Sequence, residues 1–573
     1  MTNAAPMPAG TADADCHAWN PGVLPDIPAR FRALESIFRP ESTSSTFDET
    51  REHARFTGLP QEQLVAFHAE RLALHELILR VTTHVAVAEG AEEEAFGRNF
   101  RDTALRIWQQ QVCPELPRLV RTHQELREQA GRLARERLER AFQREAPAAP
   151  AASGLRRWFA RRPPPLPAES AAERQHRVFA VLEAAVHQET DPLGQALARS
   201  LHRVVASATH ACGQLPVDLE LLARLATIQV ANRFGAQRIG ELLDPLVDRA
   251  IRDAGLVRID GQARPTLISL KGASASGKSS VRPMLKQLML DHGISNETSV
   301  TISPDIWRRL LLDYESLGEA HKYAGYLTSR EVALIDAKLD RYIRKVADEA
   351  AGIPHVVVDR FRFDSFSSSM VARALDATYA RYVDTMYMYF LVVPPAVTVE
   401  RGWTRALQRG RYKAVEDFLA HSVEAYRGMP RLLFKWLSFE RPRYRFWFLD
   451  NMVPKGTFPA VCAFGDHAGM TILRPAVFVD IERYQKINIY AQCAGQTGPS
   501  AEDAATHANL GFLRECLRRM ARIEFCRAEG DPPYLRWAAG RLEVLDDGAL
   551  QGAMQDAATA EILQLLWPSL TSA

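Results

Sequence analysis

Three observations predict an α/β domain set between helical regions. A short apolar run at 266–270 leads into Gly272-Ala273-Ser274-Ala275-Ser276-Gly277-Lys278-Ser279 and then into Ser280-Val281-Arg282-Pro283-Met284-Leu285, where apolar positions recur at helical spacing. Further apolar runs at 299–302, 355–358, 385–393 and 444–449 are mostly separated by helical stretches, the βαβ pattern of a covered parallel sheet. On both sides of this region the periodicity is helical. Because the glycine loop fits G-x-x-x-x-G-K-[ST] between a strand and a helix, the expected fold is an α/β P-loop NTPase domain with a mostly parallel sheet covered by helices. A large all-α region precedes it and a short helical C-terminal region follows.

A chain of 573 residues exceeds what one core fills, so several domains are expected. Residues 1–55, rich in Pro, Ala, Ser and Thr, read as a disordered arm. Residues 56–145 read as a helical domain, in which 121–145 is one long exposed helix laced with opposite charges. Residues 146–170 form a linker with Pro163-Pro164-Pro165 and a basic-aromatic insert, 156–162. Helical periodicity returns over 171–257, the P-loop domain spans 258–495, and 496–573 read as helices.

Composition narrows the function. Hydrophobic residues at 47%, charged residues at 24% and a formal net charge of +2 give no overall case for nucleic acid or a membrane surface. Seven scattered cysteines without a C-x-x-C pair argue for a reducing compartment and against a zinc site or a disulfide framework. No apolar run reaches membrane-spanning length, and the first fifteen residues lack the features of a secretory signal. A cytoplasmic location is expected, with export as an effector left open.

The loop sets the chemistry. Gly272 and Gly277 let the backbone close on phosphate oxygens, and the amides of Ala273, Ser274, Ala275, Ser276, Lys278, Ser279 and Ser280 make an anion nest at a helix N-terminus. Lys278 should reach the outer phosphates of ATP, and Ser279 should offer its hydroxyl to Mg²⁺. In open α/β sheets ligands lie beyond the carboxyl ends of the strands, which directs attention to Asp305, Asp359, Asp450 and Asn451. Asp305 is the candidate general base, although Ser-Pro-Asp also suits a helix cap. Asp359 closes an apolar strand, where an acid organises Mg²⁺ or touches substrate. Arg401, Arg405 and Arg409 fall at i, i+4 and i+8 on one helix face with Arg411 just beyond, a face able to neutralise a moving phosphoryl group or simply to meet solvent.

In these residues the chain resembles the zeta-toxin kinases, P-loop proteins that phosphorylate UDP-N-acetylglucosamine on a sugar hydroxyl. The similarity spans roughly 267–451: the loop Gly272 to Ser279, the Asp-x-x-Arg of Asp305 and Arg308, the acid at Asp359, an arginine-bearing lid helix mapped onto 401–411, and Asp450-Asn451. The resemblance implies an ATP- and Mg²⁺-dependent kinase acting on a sugar-nucleotide-like acceptor in a bacterial cytoplasm. Asp305 and Lys278 would be catalytic with Arg405, Arg409 and Arg411. Arg308, Asp359 and Arg401 would meet the acceptor, and Asn451 the nucleotide. It further implies a helical antitoxin, separate or fused, and residues 60–255 are a candidate for the fused form; a targeting or scaffold domain is the alternative. Where the family has Gly-Thr after the acid of the third strand, this chain has Arg360-Phe361-Arg362-Phe363-Asp364, which implies an acceptor pocket of another shape. A non-catalytic, nucleotide-gated interaction protein and a kinase acting on nucleic-acid ends are the other readings.

Overall fold

The computed structural model describes residues 16–90, 94–144, 169–291, 293–349, 352–359 and 379–571. The expected linker at 146–170 lies outside them except for its last two residues, as do the insert 156–162, the first fifteen residues and Arg360 to Asp364. Two compact units emerge, one made of Ala33–Ile78 and Ile107–Ala250, the other of the described residues of Met1–Arg32, Leu79–Arg106 and Ile251–Ala573.

The first unit is helical. Its helices are α1 (Phe47–Thr57), α2 (Leu116–Phe142), α3 (Ala171–Gln188), α4 (Pro192–Cys212) and α5 (Leu219–Val230), and all but α2 begin at a side-chain cap. Thr46 with Glu49 and Ser170 with Glu173 form reciprocal capping boxes, while Asp191 and Asp218 cap α4 and α5 with their carboxylates. The helix α2 is not the wholly exposed rod expected over 121–145. Ala130, Ala134, Leu138 and Ala141 recur every three or four positions and are fully buried, packing into one core with Leu197, Leu201 and Leu222. Its charges occupy the other face, as in the Glu136–Arg140 pair at 2.9 Å. The expected disordered arm over 1–55 is corrected from residue 16 onward: most of α1 lies within it, Phe31 and Phe38 are buried, and Trp19 donates to Glu400 at 2.6 Å. Polar composition hid these aromatic anchors.

The second unit is built on a sheet in the order β10-β9-β8-β7-β6-β5-β4-β1-β3-β2. Strands β1 (Thr266–Lys271), β2 (Ser299–Ile302), β3 (His355–Val358), β4 (Thr385–Val392) and β5 (Arg443–Asp450) pair in parallel. All six residues of β1 are buried, as a central strand covered on both faces requires. Antiparallel β6 (Ala460–Asp466) and β7 (Gly469–Ile472) extend that core. The expected all-helical C-terminal region is corrected, because β8 (Arg522–Phe525), β9 (Leu535–Ala538) and β10 (Arg541–Val544) continue the same sheet. Ala539-Gly540, with φ of 49° and 75°, makes the two-residue hairpin between β9 and β10 that matches strand twist.

Helices α6 (Lys278–Asp291), α7 (Ser329–Glu349), α8 (Pro395–Arg409) and α9 (Val415–Leu437) complete the P-loop region. Val281, Leu285 and Met289 of α6 bury against Ile268, Leu270, Val357, Leu391 and Leu449, which fixes the helix N-terminus over the carboxyl end of β1. The stretch 79–106, expected within the first helical domain, packs in this unit instead.

Candidate functional site

The loop 272–279 leaves β1 at the centre of the parallel strands and enters α6. Gly277 has φ of +94°, and a Cβ there would stand 2.2 Å from Nδ2 of Asn451, so the position needs glycine on two grounds. Asn451 follows β5 and donates that Nδ2 to the carbonyl of Ser276 at 2.7 Å, clasping the loop. Lys278 turns back over the loop, and its Nζ donates to the carbonyls of Gly272 and Ala273 at 3.0 and 2.8 Å. Burial, opposed by Asp359 and Asp305, lowers its pKa from the ordinary lysine range.

A cavity of about 1150 Å³ opens in front of this loop. Ser274, Ala275, Gly277, Lys278, Ser279 and Ser280 contribute one wall. Ser329, Val332, Ala333 and Asp336 of α7 form part of another. Arg401, Arg405 and Arg409 of α8, with Arg411 beyond it, face the same space. Asp305, Arg308, Asp359 and Asn451 also line it, so candidate site residues from Ser274 to Asn451 share one cavity, while Gly272, Ala273 and Ser276 of the loop are not among its lining.

Asp305 sits in a short helical turn (Pro304–Trp307) directly after β2. Arg308 donates Nε to its Oδ1 at 3.0 Å, and Arg411 donates Nη1 to its Oδ2 at 2.6 Å. Enclosure in the cavity would raise the carboxyl pKa, but the Arg411 and Arg308 guanidiniums outweigh that and hold it well below the carboxylate range. Half of the side chain faces open space, so the guanidiniums govern its ionisation. A carboxylate held ionised by two guanidiniums suits orienting a hydroxyl and taking its proton only in passing.

Arg308, Arg401, Arg409 and Arg411 each have an anchor. Arg308, expected to meet an acceptor, also donates to the carbonyl of Gly325 at 2.6 Å and the hydroxyl of Thr328 at 2.8 Å, so it braces Asp305 against the turn before α7. Arg401, expected on the acceptor side, donates to the carbonyl of Asn451 at 2.9 Å and lies beside Gly277, on the loop's Asn451 flank. Arg409 pairs with Glu94 at 2.8 Å. After α8 ends at Gly410, the chain turns back and brings Arg411 to Asp305.

A buried network supports the loop helix. Ser279 donates its hydroxyl to Oδ2 of Asp359 at 3.0 Å, and Arg282 Nη1 lies 3.0 Å from that same oxygen. The Nε of Arg282 bonds Glu89, and Lys286 stands 3.6 Å from Glu89. The side chains of Arg282, Asp359 and Glu89 are 2%, 5% and 7% exposed, so water does little to screen them. A hydroxyl and a carboxylate side by side at the cavity wall are the hard oxygen donors that suit Mg²⁺, which takes one or two protein ligands and completes its shell with water and phosphate. Motif reading found Ser279 and Asp359 but not Glu89. The one signal for it was a lone acid closing the apolar run Val85-Ala86-Val87-Ala88.

No family model and no curated protein matches the chain. Among solved structures, one from the PezAT chromosomal toxin–antitoxin system of Streptococcus pneumoniae aligns with 37% of this chain and 78% of its own, at 14% identity and a TM-score of 0.25. A TM-score of that size does not establish a common fold. Among the described residues, no helix is long and apolar enough to cross a membrane.

Proposed function

We propose that this protein is an ATP- and Mg²⁺-dependent kinase that transfers the γ-phosphoryl group to a hydroxyl of a small molecule, the sugar-nucleotide class implied by the zeta-toxin resemblance. The observation that carries the reading is the shared cavity: Asp305, held between Arg308 and Arg411, faces the same space as Lys278 and the loop amides.

In this reading the amides of 273–280 and Lys278 hold the β- and γ-phosphates at the positive end of α6. Ser279 and Asp359 would hold Mg²⁺, which supplies charge neutralisation between the outer phosphates when bound. Asp305 accepts a hydrogen bond from the acceptor hydroxyl and aims its oxygen at phosphorus. The new O–P bond forms as the bond to the ADP oxygen breaks, and the hydroxyl proton leaves through the carboxylate. A loose transition state demands little basicity early on, so an ionised aspartate of low pKa still performs this role. Arg405 and Arg411 meet the charge on the moving group, and Arg401 with Asn451 fixes the nucleotide side.

The test is incubation of the full chain with labelled ATP and a pool of cell metabolites, followed by mass spectrometry for a gain of one phosphoryl group. A single labelled species is expected with the wild type and none with Asp305→Asn. A wild-type protein that binds ATP and labels no small molecule would remove the kinase reading.

A further inference from the structure

Both arginines that hold Asp305 meet one dipeptide that no motif marks, Gly325-Tyr326, in the short helical turn (Ala324–Leu327) before α7. The carbonyl of Gly325 accepts Nη1 of Arg308 at 2.6 Å. The stem of Arg411 passes the same glycine, where a Cβ would stand 3.6 Å from its Cγ. Arg411 belongs to 411–414, which joins α8 to α9 without helix or strand. No ladder of backbone bonds therefore fixes the point from which its long side chain reaches Asp305.

Tyr326 supplies what the segment lacks. Its hydroxyl accepts from the backbone N–H of Ala414 at 2.9 Å and donates to the carboxylate of Asp417 in the first turn of α9. A phenol hydroxyl has one proton to give and lone pairs to accept with, so both bonds form together. The other end of the segment is tied as well, since Arg309 donates Nη2 to the carbonyl of Arg409 at 2.9 Å. Between the two ends, Nζ of Lys413 stands 2.6 Å from Nδ1 of His421 on α9. Gly325, Tyr326, Arg411 and Asp417 all line the cavity in front of the loop. One guanidinium on Asp305 is thus anchored on the carbonyl of residue 325, and the other on a segment pinned by the side chain of residue 326.

We propose that Tyr326 is a positioning residue for phosphoryl transfer: it holds 411–414 against the turn before α7, keeps Arg411 on Asp305, and acts through that arginine rather than on the substrates. The proposal rests on the kinase reading above, in which Arg411 serves both the carboxylate and the charge on the moving group. A displacement of about 1 Å in such a group costs about a hundredfold in rate. Loss of the Tyr326 hydroxyl costs less, because the ring keeps its place beside Tyr323, 6.0 Å between centroids.

The test is a double-variant cycle on the full chain, with saturating labelled ATP, Mg²⁺ and a dilution series of a cell-metabolite pool. The plateau rate and the half-saturating pool concentration are then read separately. Tyr326→Phe should lower the plateau about tenfold, as the loss of two hydrogen bonds implies. The half-saturating concentration and the calorimetric affinity for ATP should stay within about twofold, which also shows that the variant is folded. Arg411→Met should lower the plateau further, and adding Tyr326→Phe to it should change nothing more, because the hydroxyl works through the missing guanidinium. A wild-type plateau in Tyr326→Phe overturns this proposal alone. So do losses that multiply in the double variant, and so does an unchanged plateau with a raised half-saturating concentration, which would make Tyr326 a contact to the acceptor. A wild type that binds ATP and transfers nothing overturns this proposal and the kinase reading together.

Discussion

Replacing Glu89 by alanine tests whether the stretch 79–106 is a working part of the P-loop unit. Glu89 is buried against Arg282 and faces Lys286, and Arg282 carries the link on to Asp359 and so to Ser279. Removing the acid leaves a guanidinium of 2% exposure with Asp359 as its remaining carboxylate, and leaves Lys286 with the side-chain oxygen of Asn296 at 3.0 Å. Breaking a buried pair by deleting one partner costs about 3–5 kcal/mol, and the surviving Asp359 contact places this case at the lower end, about 3 kcal/mol. For a urea m-value of about 3 kcal/mol per molar, that moves the unfolding midpoint of the P-loop unit down by about 1 M. Glu89→Gln, which preserves shape but not charge, should lose less. Urea titrations of Glu89→Ala, Arg282→Met and the double variant provide the assay, since the pair predicts strong coupling between the two positions. Unchanged midpoints, or single effects that simply add, would refute the role given to this network. A chain beginning near residue 256 lacks all of 79–106 and the Trp19–Glu400 contact as well as Glu89, and should lose more than the point variant.

Lys278→Ala should weaken ATP binding at least tenfold in a calorimetric titration, whereas Asp305→Asn should keep nucleotide affinity within about threefold and lose phosphoryl transfer. Gly277→Ala places a methyl group 2.2 Å from Asn451 at a φ of +94°, so nucleotide binding should be lost while the circular dichroism spectrum is kept. Because Asp305 has a depressed folded pKa, its ion pairs contribute above the ordinary value of about 4 and fade only as pH falls through the lower folded value. The transfer rate should therefore show no inflection from this carboxylate above about pH 4; a carboxyl titration near pH 5, seen in the wild type by NMR and absent from Asp305→Asn, would contradict the two-arginine clamp.

The parts of this architecture legible in the sequence are those with short-range signals. The loop announces itself within eight residues, and each parallel strand is a continuous apolar run, so β1, β2 and β3 lie within one residue of their expected bounds. The arginines of α8 followed from helical spacing, and the structure gathers them on one cavity. What escaped depended on distant partners. Strands β8 to β10 are four residues each and half exposed at the sheet's far edge, so they lack the apolar run that marked the core strands. The buried face of α2 is made largely of alanines, which carry little hydrophobic contrast against the arginines and glutamates between them. Glu89 and Lys413 belong to no motif, and only the fold shows that one is buried beneath α6 and the other meets a histidine beside the loop. Arg308 and Arg401 were found by pattern, but their partners redirected them, one to brace Asp305 and the other to Asn451.

The account depends most directly on one comparison: phosphoryl transfer from labelled ATP by the wild type and by Asp305→Asn, with nucleotide binding measured for both. It predicts equal binding, one labelled small-molecule product from the wild type and none from the variant. Equal labelling by the two proteins, or ATP bound by the wild type with no acceptor labelled, would contradict it.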